Sequence, residues 1–558
     1  MELPDAPGLR AWWAPLARAW WSIPAFVLVL TAARLVWMIW FSRYTLIEDE
    51  AHYWEWSRRL GWSYYSKGPG VAWAIAGSCA LFGNIEWAVR LPAVLASALG
   101  SLAAAGMARD CFPTDRPGAH AATPFVAALL YQCVPAFAIT SVLMTIDGPY
   151  VACWTLAAWF AARALLRDRP LAWIGFGLAL AAAFLFKYTA ILLLPGVVLA
   201  LLSKPIRSRA RAQTAWIALG LALACLGFAP VVIWNATHGW ATVHHLLGHL
   251  GVRGGDVAPA SSDPWTPWSS PEYLALTLVT CGPVLVLGLL AWLERKRAGT
   301  GARFAIACAL PILAFYFMVS LGARVEGNWA IAACASLVAP AAWLVVDGVA
   351  RRDLAVRLLW GLAIVCGVGV NLALPALPAL SRIGRLGARI PVHRMAGMRT
   401  HAADAQRWLD ALRDQTGLDP FVVSEHYGRA SQLAFYLPGH PTVYCASALV
   451  GGRKTQYDLW AETDLTNPQT LARLRGRPAL LMGGRREQWA TGFDPVFEIG
   501  PLAAEPKANR ISYVGYDFTT LAGWTPDRAG DPRRDPPNPG PPAGPPLTPN
   551  VAREGGSP

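Results

Sequence analysis

The stretch SIPAFVLVLTAARLVWMIWF, residues 22–41, decides the fold class, because Arg34 is its only charged side chain. About twenty predominantly apolar residues are the length that an α-helix needs to cross a bilayer. Similar stretches recur, and we predict a mainly α, polytopic transmembrane bundle of about 11–13 spans. The clearest lie at residues 22–41, 87–108, 121–140, 149–166, 171–186, 188–203, 214–234, 273–293, 303–321, 329–347 and 355–377. A charge as deep in a span as Arg34 must be paired or face a cavity.

The composition agrees with a membrane protein and excludes several other classes. Hydrophobic residues make up 55% of the 558 residues and charged residues 15%, well below the roughly 25% of soluble domains. The net charge of +13 does not indicate nucleic-acid binding, because the basic residues lie in short loops between apolar stretches. The 10 cysteines are mostly single, and they indicate neither a disulfide framework nor a metal site. We interpret residues 22–41 as an uncleaved anchor, since no convincing cleavage site precedes them.

The lysines and arginines of the loops predict the orientation of the spans. If the N-terminus lies inside, every inside loop is basic. The inside residues are then Arg10, Arg18, Arg109, Arg116, Arg163, Arg167, Arg169, Lys204, Arg207, Arg209, Arg211, Arg295, Lys296, Arg297, Arg303, Arg351, Arg352 and Arg357. The outside segments 42–86, 141–148, 235–272 and 322–328 carry fewer basic residues, and we expect the chemistry on that outer side.

The composition changes after about residue 378. We predict a transmembrane domain over residues 1–380, a small outer α/β domain over 381–525 and a disordered Pro/Gly-rich tail over 526–558. In the α/β domain, AADAQRWLDALRDQTG is typical of an amphipathic helix that ends at Gly417. FVVSEHY, TVYCAS and PALLMGG are typical of short strands, and ASQLAFYL is typical of a helix between the first two.

The first outside segment carries the most chemistry. It runs TLIEDEAHYWEWSRRLGWSYYSKGPGVAW over residues 45–73, and it places three acids, 48–50, directly after the first span. A solvated acidic loop that helps to set the topology is the plain interpretation of such a triplet. Here the acids are followed by an aromatic helix face that includes Tyr53 and then by a lone cation, Lys67, in a Gly/Pro turn. A carboxylate that takes a proton and a lysine that holds a phosphate favour a reaction on a lipid phosphate.

Other outside groups are candidates with a structural alternative. Asp147 in MTIDGPY serves a site, caps the helix that follows it, or does both. The loop ARVEGNWA, residues 323–330, either binds a substrate or contains a plain salt bridge between Arg324 and Glu326. Lys187 also falls on the outer face, where it is either functional or extends to the interface.

Four histidines lie in the loop NATHGWATVHHLLGHLG. His245 and His249 are four residues apart and would share a helix face, as metal ligands do. No glutamate accompanies them in the HExxH manner, so an ordinary amphipathic interfacial helix is the favoured interpretation. We therefore predict no metal site and no cofactor, while a divalent metal remains an alternative.

The segment EDEAHYWEWSRRLGWSYYSKGPGVAW resembles the first periplasmic loop of GT-C glycosyltransferases of the family 39/83 type. That group includes protein O-mannosyltransferases, the lipid A aminoarabinose transferase and the rhizobial lipopolysaccharide galacturonosyltransferases, and the last are the most similar. MTIDGPYVACW, FLFKYTAILLLPG, IWNATHGW and VEGNWA resemble the same group in the same order. The likeness covers roughly residues 20–335.

The resemblance implies a GT-C fold and a multi-pass protein of the bacterial inner membrane. It implies a polyprenyl-phosphate-linked sugar donor and an inverting transfer on the periplasmic face. The acceptor hydroxyl would belong to lipid A, core oligosaccharide, another lipid or a protein, and membrane lipid would be a further partner. Two alternatives stay open: a polyprenyl-lipid carrier or flippase, and an envelope assembly protein without catalysis.

The resemblance also assigns roles to single residues. Asp49 would be the catalytic base, Glu50 its acidic neighbour and Asp147 a second carboxylate of the site. The donor phosphate would be held by Lys67, Arg324 and Lys187, and further substrate contacts would come from Tyr53, Tyr65, Glu326, Asn328 and Trp329. Ser66 replaces a glutamate of the aminoarabinose transferase, which puts a metal site of that kind in doubt. Gly68 replaces the first proline of a Lys-Pro-Pro turn, and we expect it to loosen the turn.

Overall fold

The computed structural model describes residues 21–113, 122–250, 252, 254–256, 266–381, 383, 392–504 and 510–521. The predictions for Arg10, Arg18, Arg116 and the tail over residues 526–558 lie outside the described residues. The chain forms two compact units. The first comprises Met1–Ser42, Leu60–Gly255 and Ser262–Ile390, and the second Arg43–Arg59, Asp256–Ser261 and Pro391–Pro558.

The first unit is a bundle of apolar helices, as predicted. Among the described residues, the helices long and apolar enough to cross a membrane are Ser22–Phe41, Glu86–Cys111, Asp147–Arg167, Thr214–Thr237, Arg295–Ser320, Ile331–Ala350 and Leu354–Leu380. Two bent pairs, Tyr188–Ala200 with Lys204–Ala212 and Ser269–Cys281 with Pro283–Leu290, raise their number from 7 to as many as 9. Shorter helices are Gly70–Phe82, Thr123–Cys133, Pro135–Thr140, Ala172–Phe186 and Ala241–His249.

Two of the predicted spans are broken. The span predicted at 121–140 breaks at Val134, because the proline that follows has no N–H group for the helix and clashes with the preceding turn. The span predicted at 273–293 breaks at Gly282, which has φ 64° and again precedes a proline. Its two halves differ in direction by 97°. Apolar length alone therefore does not distinguish a straight span from a bent one.

Small residues bring the helices of the first unit close together. The helix Ile331–Ala350 is buried along its whole apolar window and is rich in alanine. A Cβ atom on Gly177 would collide with the backbone oxygen of Gly220, so two further helices meet backbone to backbone. Close contact through small residues is the usual way in which membrane helices associate.

Arg34 ties several of these helices together. Its guanidinium donates hydrogen bonds to Ser97 Oγ (3.1 Å), Gln132 Oε1 (2.7 Å) and Asn371 Oδ1 (2.8 Å). The three acceptors lie on three other helices. We expected this buried charge to have a partner. Among the described residues, its partners in these hydrogen bonds are neutral side chains.

The second unit contains a five-stranded mixed sheet in the order β2-β1-β3-β5-β4. The strands are β1 (Phe421–Ser424), β2 (Tyr444–Cys445), β3 (Ala479–Met482), β4 (Val496–Gly500) and β5 (Ser512–Gly515). Strand β1 is parallel to β2 and β3, whereas β5 is antiparallel to β3 and β4. The main helices of this unit are Glu48–Ser57, Met398–Thr416, Tyr427–Tyr436 and Pro468–Leu474.

The structure confirms the predicted fold class. Strands β1 to β3 and the helix between β1 and β2 lie where the sequence placed them. The first long helix of the α/β part ends at Gly417, which has φ 68°, a conformation that suits glycine. Strands β4 and β5 were not predicted.

Residues 43–59 belong to the second unit, although the sequence placed them within the transmembrane domain. Two hydrogen bonds fix Leu46 to the helix Tyr427–Tyr436: its N–H donates to Tyr436 Oη (2.7 Å), and its carbonyl accepts from Gln432 Nε2 (2.8 Å). The acidic helix, Glu48–Ser57, is therefore held by residues almost 400 positions further along the chain.

Candidate active site

The acidic helix separates the roles of its first two candidate carboxylates. Glu50 is fully buried, and its Oε2 accepts a hydrogen bond from the backbone N–H of Ile47 (3.1 Å). It therefore satisfies a backbone donor at the start of the helix. Asp49 is exposed and lies in the first turn, where the helix dipole favours a negative charge. The geometry makes Asp49 the carboxylate that solvent or a substrate can reach.

A buried hydrogen-bond network joins the acidic helix to the helix Tyr427–Tyr436. Trp56 Nε1 donates to His52 Nε2 (3.1 Å), so the proton of the neutral imidazole lies on Nδ1 and is donated to Ser431 Oγ (3.0 Å). Tyr457 Oη lies 2.8 Å from the same hydroxyl. Burial, together with Arg453, lowers the pKa of His52 to about 3. The imidazole therefore stays neutral and keeps this tautomer.

Tyr427 connects this network with Asp49. Its ring lies 4.6 Å from the ring of His52, and its hydroxyl donates a long hydrogen bond to Asp49 Oδ1 (3.5 Å). Burial and the nearby Asp49 carboxylate raise the pKa of Tyr427, so the phenol remains a donor. The guanidinium of Arg453 lies 5.4 Å from the centre of the same ring. The sequence analysis did not identify Tyr427, and only the aromatic character of the two segments could have indicated it.

In the first unit, the turn that carries Lys67 is tightly built. The carbonyl of Lys67 accepts a hydrogen bond from the N–H of Tyr64 (3.1 Å), and Ser63 Oγ lies 3.1 Å from Tyr188 Oη. A Cβ atom on Gly68 would collide with the backbone carbonyl of Leu185. The expectation that Gly68 loosens the turn is thus wrong: a glycine is required because two backbones meet there.

Asp147, Lys187 and Asn328 form a closed network. Lys187 Nζ donates to Asp147 Oδ1 (2.8 Å), and Asn328 Nδ2 donates to Asp147 Oδ2 (2.6 Å). Lys187 also donates to the carbonyl of Asn328 (3.3 Å) and lies 5.5 Å from the ring centre of Tyr150. The side chains of Lys187 and Asp147 are only 12% and 5% exposed. One buried ion pair and its hydrogen bonds to Asn328 therefore join three segments that are distant in sequence.

This network decides between the alternatives for Asp147. Asp147 is not a helix cap: the capping position is Ile146, and both carboxylate oxygens of Asp147 bind side chains from elsewhere. The ammonium group of Lys187 is bound to Asp147. Arg324 forms an ion pair with Glu272 (2.8 Å), a partner that sequence spacing did not indicate.

The remaining predicted site residues differ in exposure. Glu326 is exposed, whereas Tyr65 and Tyr53 are buried. The ring of Tyr65 lies 4.7 Å from that of His245, and the ring of Trp329 packs against Tyr316 (5.4 Å). Each tyrosine is therefore part of the packing of its own unit, and Glu326 is open to solvent.

The histidine pair does form on one helix face. His245 Nε2 and His249 Nε2 are 3.1 Å apart, within the helix Ala241–His249. Among the described residues, no group of three or more histidine, cysteine, aspartate or glutamate side chains could hold a metal ion. The described geometry thus supplies two such ligands and no third.

Comparison with known proteins supports the class of fold that this arrangement indicates. The family model of dolichyl-phosphate-mannose-protein mannosyltransferases matches residues 66–234. The crystal structure of the apo form of ArnT from Cupriavidus metallidurans superimposes with a TM-score of 0.61 at 15% identity, over 90% of this chain and 99% of that one. The form of that protein bound to undecaprenyl phosphate gives 0.58 at 16% identity, over 91% and 100%. The chain thus has the GT-C fold of ArnT.

The chain is also similar to curated proteins, two of which are described here. The lipid A galacturonosyltransferase RgtD of Rhizobium johnstonii is 28% identical over 57% of this chain and 64% of its own length. The undecaprenyl phosphate-alpha-4-amino-4-deoxy-L-arabinose arabinosyl transferase of Pseudomonas aeruginosa is 32% identical over 49% and 51%. The chain thus matches between about half and two thirds of the length of these relatives. The resemblance to GT-C glycosyltransferases, among them a lipid A galacturonosyltransferase and an aminoarabinose transferase, is confirmed.

Proposed function

We propose that this protein is an inverting glycosyltransferase. It moves a sugar from polyprenyl phosphate to an acceptor hydroxyl on the periplasmic face of the inner membrane. The proposal rests on the position of Asp49. This carboxylate is exposed at the start of a helix whose buried polar side chains are held by hydrogen bonds. The names of the matched relatives support a lipid-phosphate donor, and the basic loops of one side support the orientation.

Asp49 acts as the general base in this proposal. The acceptor oxygen attacks the anomeric carbon, the bond from that carbon to the phosphate oxygen breaks, and polyprenyl phosphate leaves. The proton of the acceptor hydroxyl passes to Asp49. A single displacement inverts the anomeric centre. The hydrogen bond from Tyr427 and the rigid helix orient the carboxylate, which reduces the entropy that positioning would otherwise cost.

Lys67 is the group that we assign to the donor phosphate. Its turn is fixed by backbone hydrogen bonds and by the close approach at Gly68, so the start of its side chain is held firmly. A lysine neutralises the charge that grows on the leaving phosphate. Lys187 and Arg324 already form ion pairs with Asp147 and Glu272, and we assign them to the framework of the site rather than to the phosphate.

Asp147 has a positioning role in this proposal. Through Asn328 it fixes the loop after the helix Arg295–Ser320, and through Lys187 it fixes the link after Ala172–Phe186. The acceptor is an envelope glycolipid, as in the name of the lipid A galacturonosyltransferase RgtD. A carrier would also tolerate bent helices such as Ser269–Cys281 with Pro283–Leu290, but it would not need a base at position 49.

The proposal is tested by mass spectrometry of envelope glycolipids and glycoproteins from cells with and without this gene. We expect one sugar to disappear with the gene and to return with the wild-type protein. Complementation with Asp49→Asn should fail, although the variant is inserted normally in the membrane. Glu48→Gln is the matched control, because it removes the same charge one residue earlier and should restore the sugar. Restoration by Asp49→Asn would contradict the proposed role of Asp49.

A further inference from the structure

Arginines line a cavity at the far end of the helix that begins with Asp147. The cavity has a volume of about 470 Å³, and its described lining residues are Arg109, Asp110, Arg163, Arg167 and Arg169. Four guanidinium groups and one carboxylate leave three positive charges. The helix Asp147–Arg167 has 21 residues, so the cavity lies about 30 Å from the Asp147 network. This distance matches the thickness of a bilayer core and separates the cavity from the Asp147 network.

Asp110 balances only one of the four positive charges of this cluster. Its Oδ2 accepts a hydrogen bond from Trp159 Nε1 (2.8 Å), which fixes the carboxylate. Arg163 and Arg167 each approach it only to 3.6 Å, longer than an N–H···O hydrogen bond of 2.7–3.2 Å. Among the described residues, Arg109 has no ion pair. Guanidinium N–H groups therefore remain available for another acceptor.

A second cavity shares Asp110 and Arg167 with the first and adds an apolar wall. Its volume is about 450 Å³, and it is also lined by Arg209, Arg297, Phe112 and Trp343. The rings of Phe112 and Trp343 stack with their centres 5.7 Å apart. Charged groups beside these two largely buried rings suit an amphiphilic molecule better than a small free anion.

We propose that these two cavities bind the phosphate headgroup of an anionic phospholipid from the surrounding membrane. Guanidinium groups bind phosphate in a bidentate manner, and basic pockets between membrane helices are suited to anionic lipid headgroups. The excess of arginine on this side follows from membrane topology. Topology does not require four arginines from two helix ends to converge on one cavity, and a bound phosphate gives that convergence a function.

The first test uses the purified full-length protein in detergent and titrates it with defined lipids by native mass spectrometry. We expect phosphatidylglycerol to bind at least about tenfold more tightly than phosphatidylcholine, because both lipids carry the phosphate but the arginines repel the quaternary ammonium group of phosphatidylcholine. Inorganic phosphate should compete only weakly. Equal binding of the two lipids, or displacement of phosphatidylglycerol by inorganic phosphate at similar concentrations, would overturn the assignment to a lipid headgroup.

Matched variants separate the cavity from net charge. Arg163→Gln with Arg169→Gln should weaken binding of phosphatidylglycerol about a hundredfold. Arg207→Gln with Arg211→Gln removes the same charge from exposed positions that line neither cavity, and it should leave the affinity within about twofold. Equal loss in both pairs would overturn the proposal. Arg109→Gln alone, at an exposed position, should weaken binding about tenfold and provides a second measurement if the first pair does not fold.

Discussion

Removal of Asp147 should destabilise the protein far more than removal of an exposed acid in an ion pair of the same length. The Lys187–Asp147 pair has an N–O distance of 2.8 Å with side chains 12% and 5% exposed. The Arg324–Glu272 pair has the same distance, but each side chain is 37% exposed. We expect Asp147→Asn to lower the free energy of unfolding by about 3–5 kcal/mol, because it leaves the ammonium group buried without a counter-charge. Glu272→Gln should cost only about 0–1 kcal/mol.

The measurement is denaturant unfolding in mixed micelles, followed by tryptophan fluorescence. A double-mutant cycle separates the ion pair from other contacts. Lys187→Met combined with Asp147→Asn should be less destabilising than the sum of the two single changes, with a coupling energy of about 3 kcal/mol. Additive effects of the two changes, or equal effects of Asp147→Asn and Glu272→Gln, would refute the interpretation of a buried, positioning ion pair.

Three further outcomes follow from the described contacts. Arg34→Met should lower the free energy of unfolding by about 1–3 kcal/mol for each polar partner left unsatisfied, and an unchanged unfolding midpoint would contradict this. The pKa of His52 is about 3 in the fold and about 6.5 in the unfolded chain. The stability that neutral His52 contributes is therefore fully present above pH 6.5. It decreases by about 1.4 kcal/mol per pH unit as the pH falls towards 3. His52→Gln should remove that slope, and a persistent slope would show another origin. Gly68→Ala should reduce both stability and the rate of transfer, because the added Cβ atom meets the carbonyl of Leu185. Gly77→Ala should be tolerated, because nothing lies within 4 Å of its added Cβ atom. Equal effects of the two substitutions would exclude the close approach at Gly68.

Much of the fold could be predicted, because its main determinant is local. Twenty apolar residues such as 22–41 specify a membrane helix wherever they lie. The breaks at Val134 and Gly282 were less evident, since proline is tolerated inside other spans of this bundle, as at Pro340. Strand β4 escaped prediction because it is only partly buried and is paired by residues that follow it in sequence.

The sequence predicted which residues are candidates for the site, but not which of them contact each other. The sequence indicated Asp147, Lys187 and Asn328 separately, yet 40 and 181 positions separate Asp147 from the other two. No local pattern records such a contact. For the same reason, Arg324 was compared with its near neighbour Glu326, while its described partner lies 52 positions away.

The supporting residues of Asp49 were hidden for a different reason. Tyr427 and Ser431 lie in an ordinary amphipathic helix, and their role follows only from the way residues 43–59 pack in the second unit. Histidine side chains are often exposed to solvent. His52 is buried instead. Burial, which the fold alone determines, gives these side chains their chemistry.

The central claim is most directly tested by the rate of sugar transfer in the purified protein. Polyprenyl-phosphate-linked sugars and an envelope glycolipid acceptor would be supplied in detergent, and the product would be followed by mass spectrometry. Asp49→Asn should lower the rate by at least about a hundredfold, the contribution of a general base, while Glu48→Gln retains most of the wild-type rate. A rate for Asp49→Asn equal to that of the wild type would contradict the account.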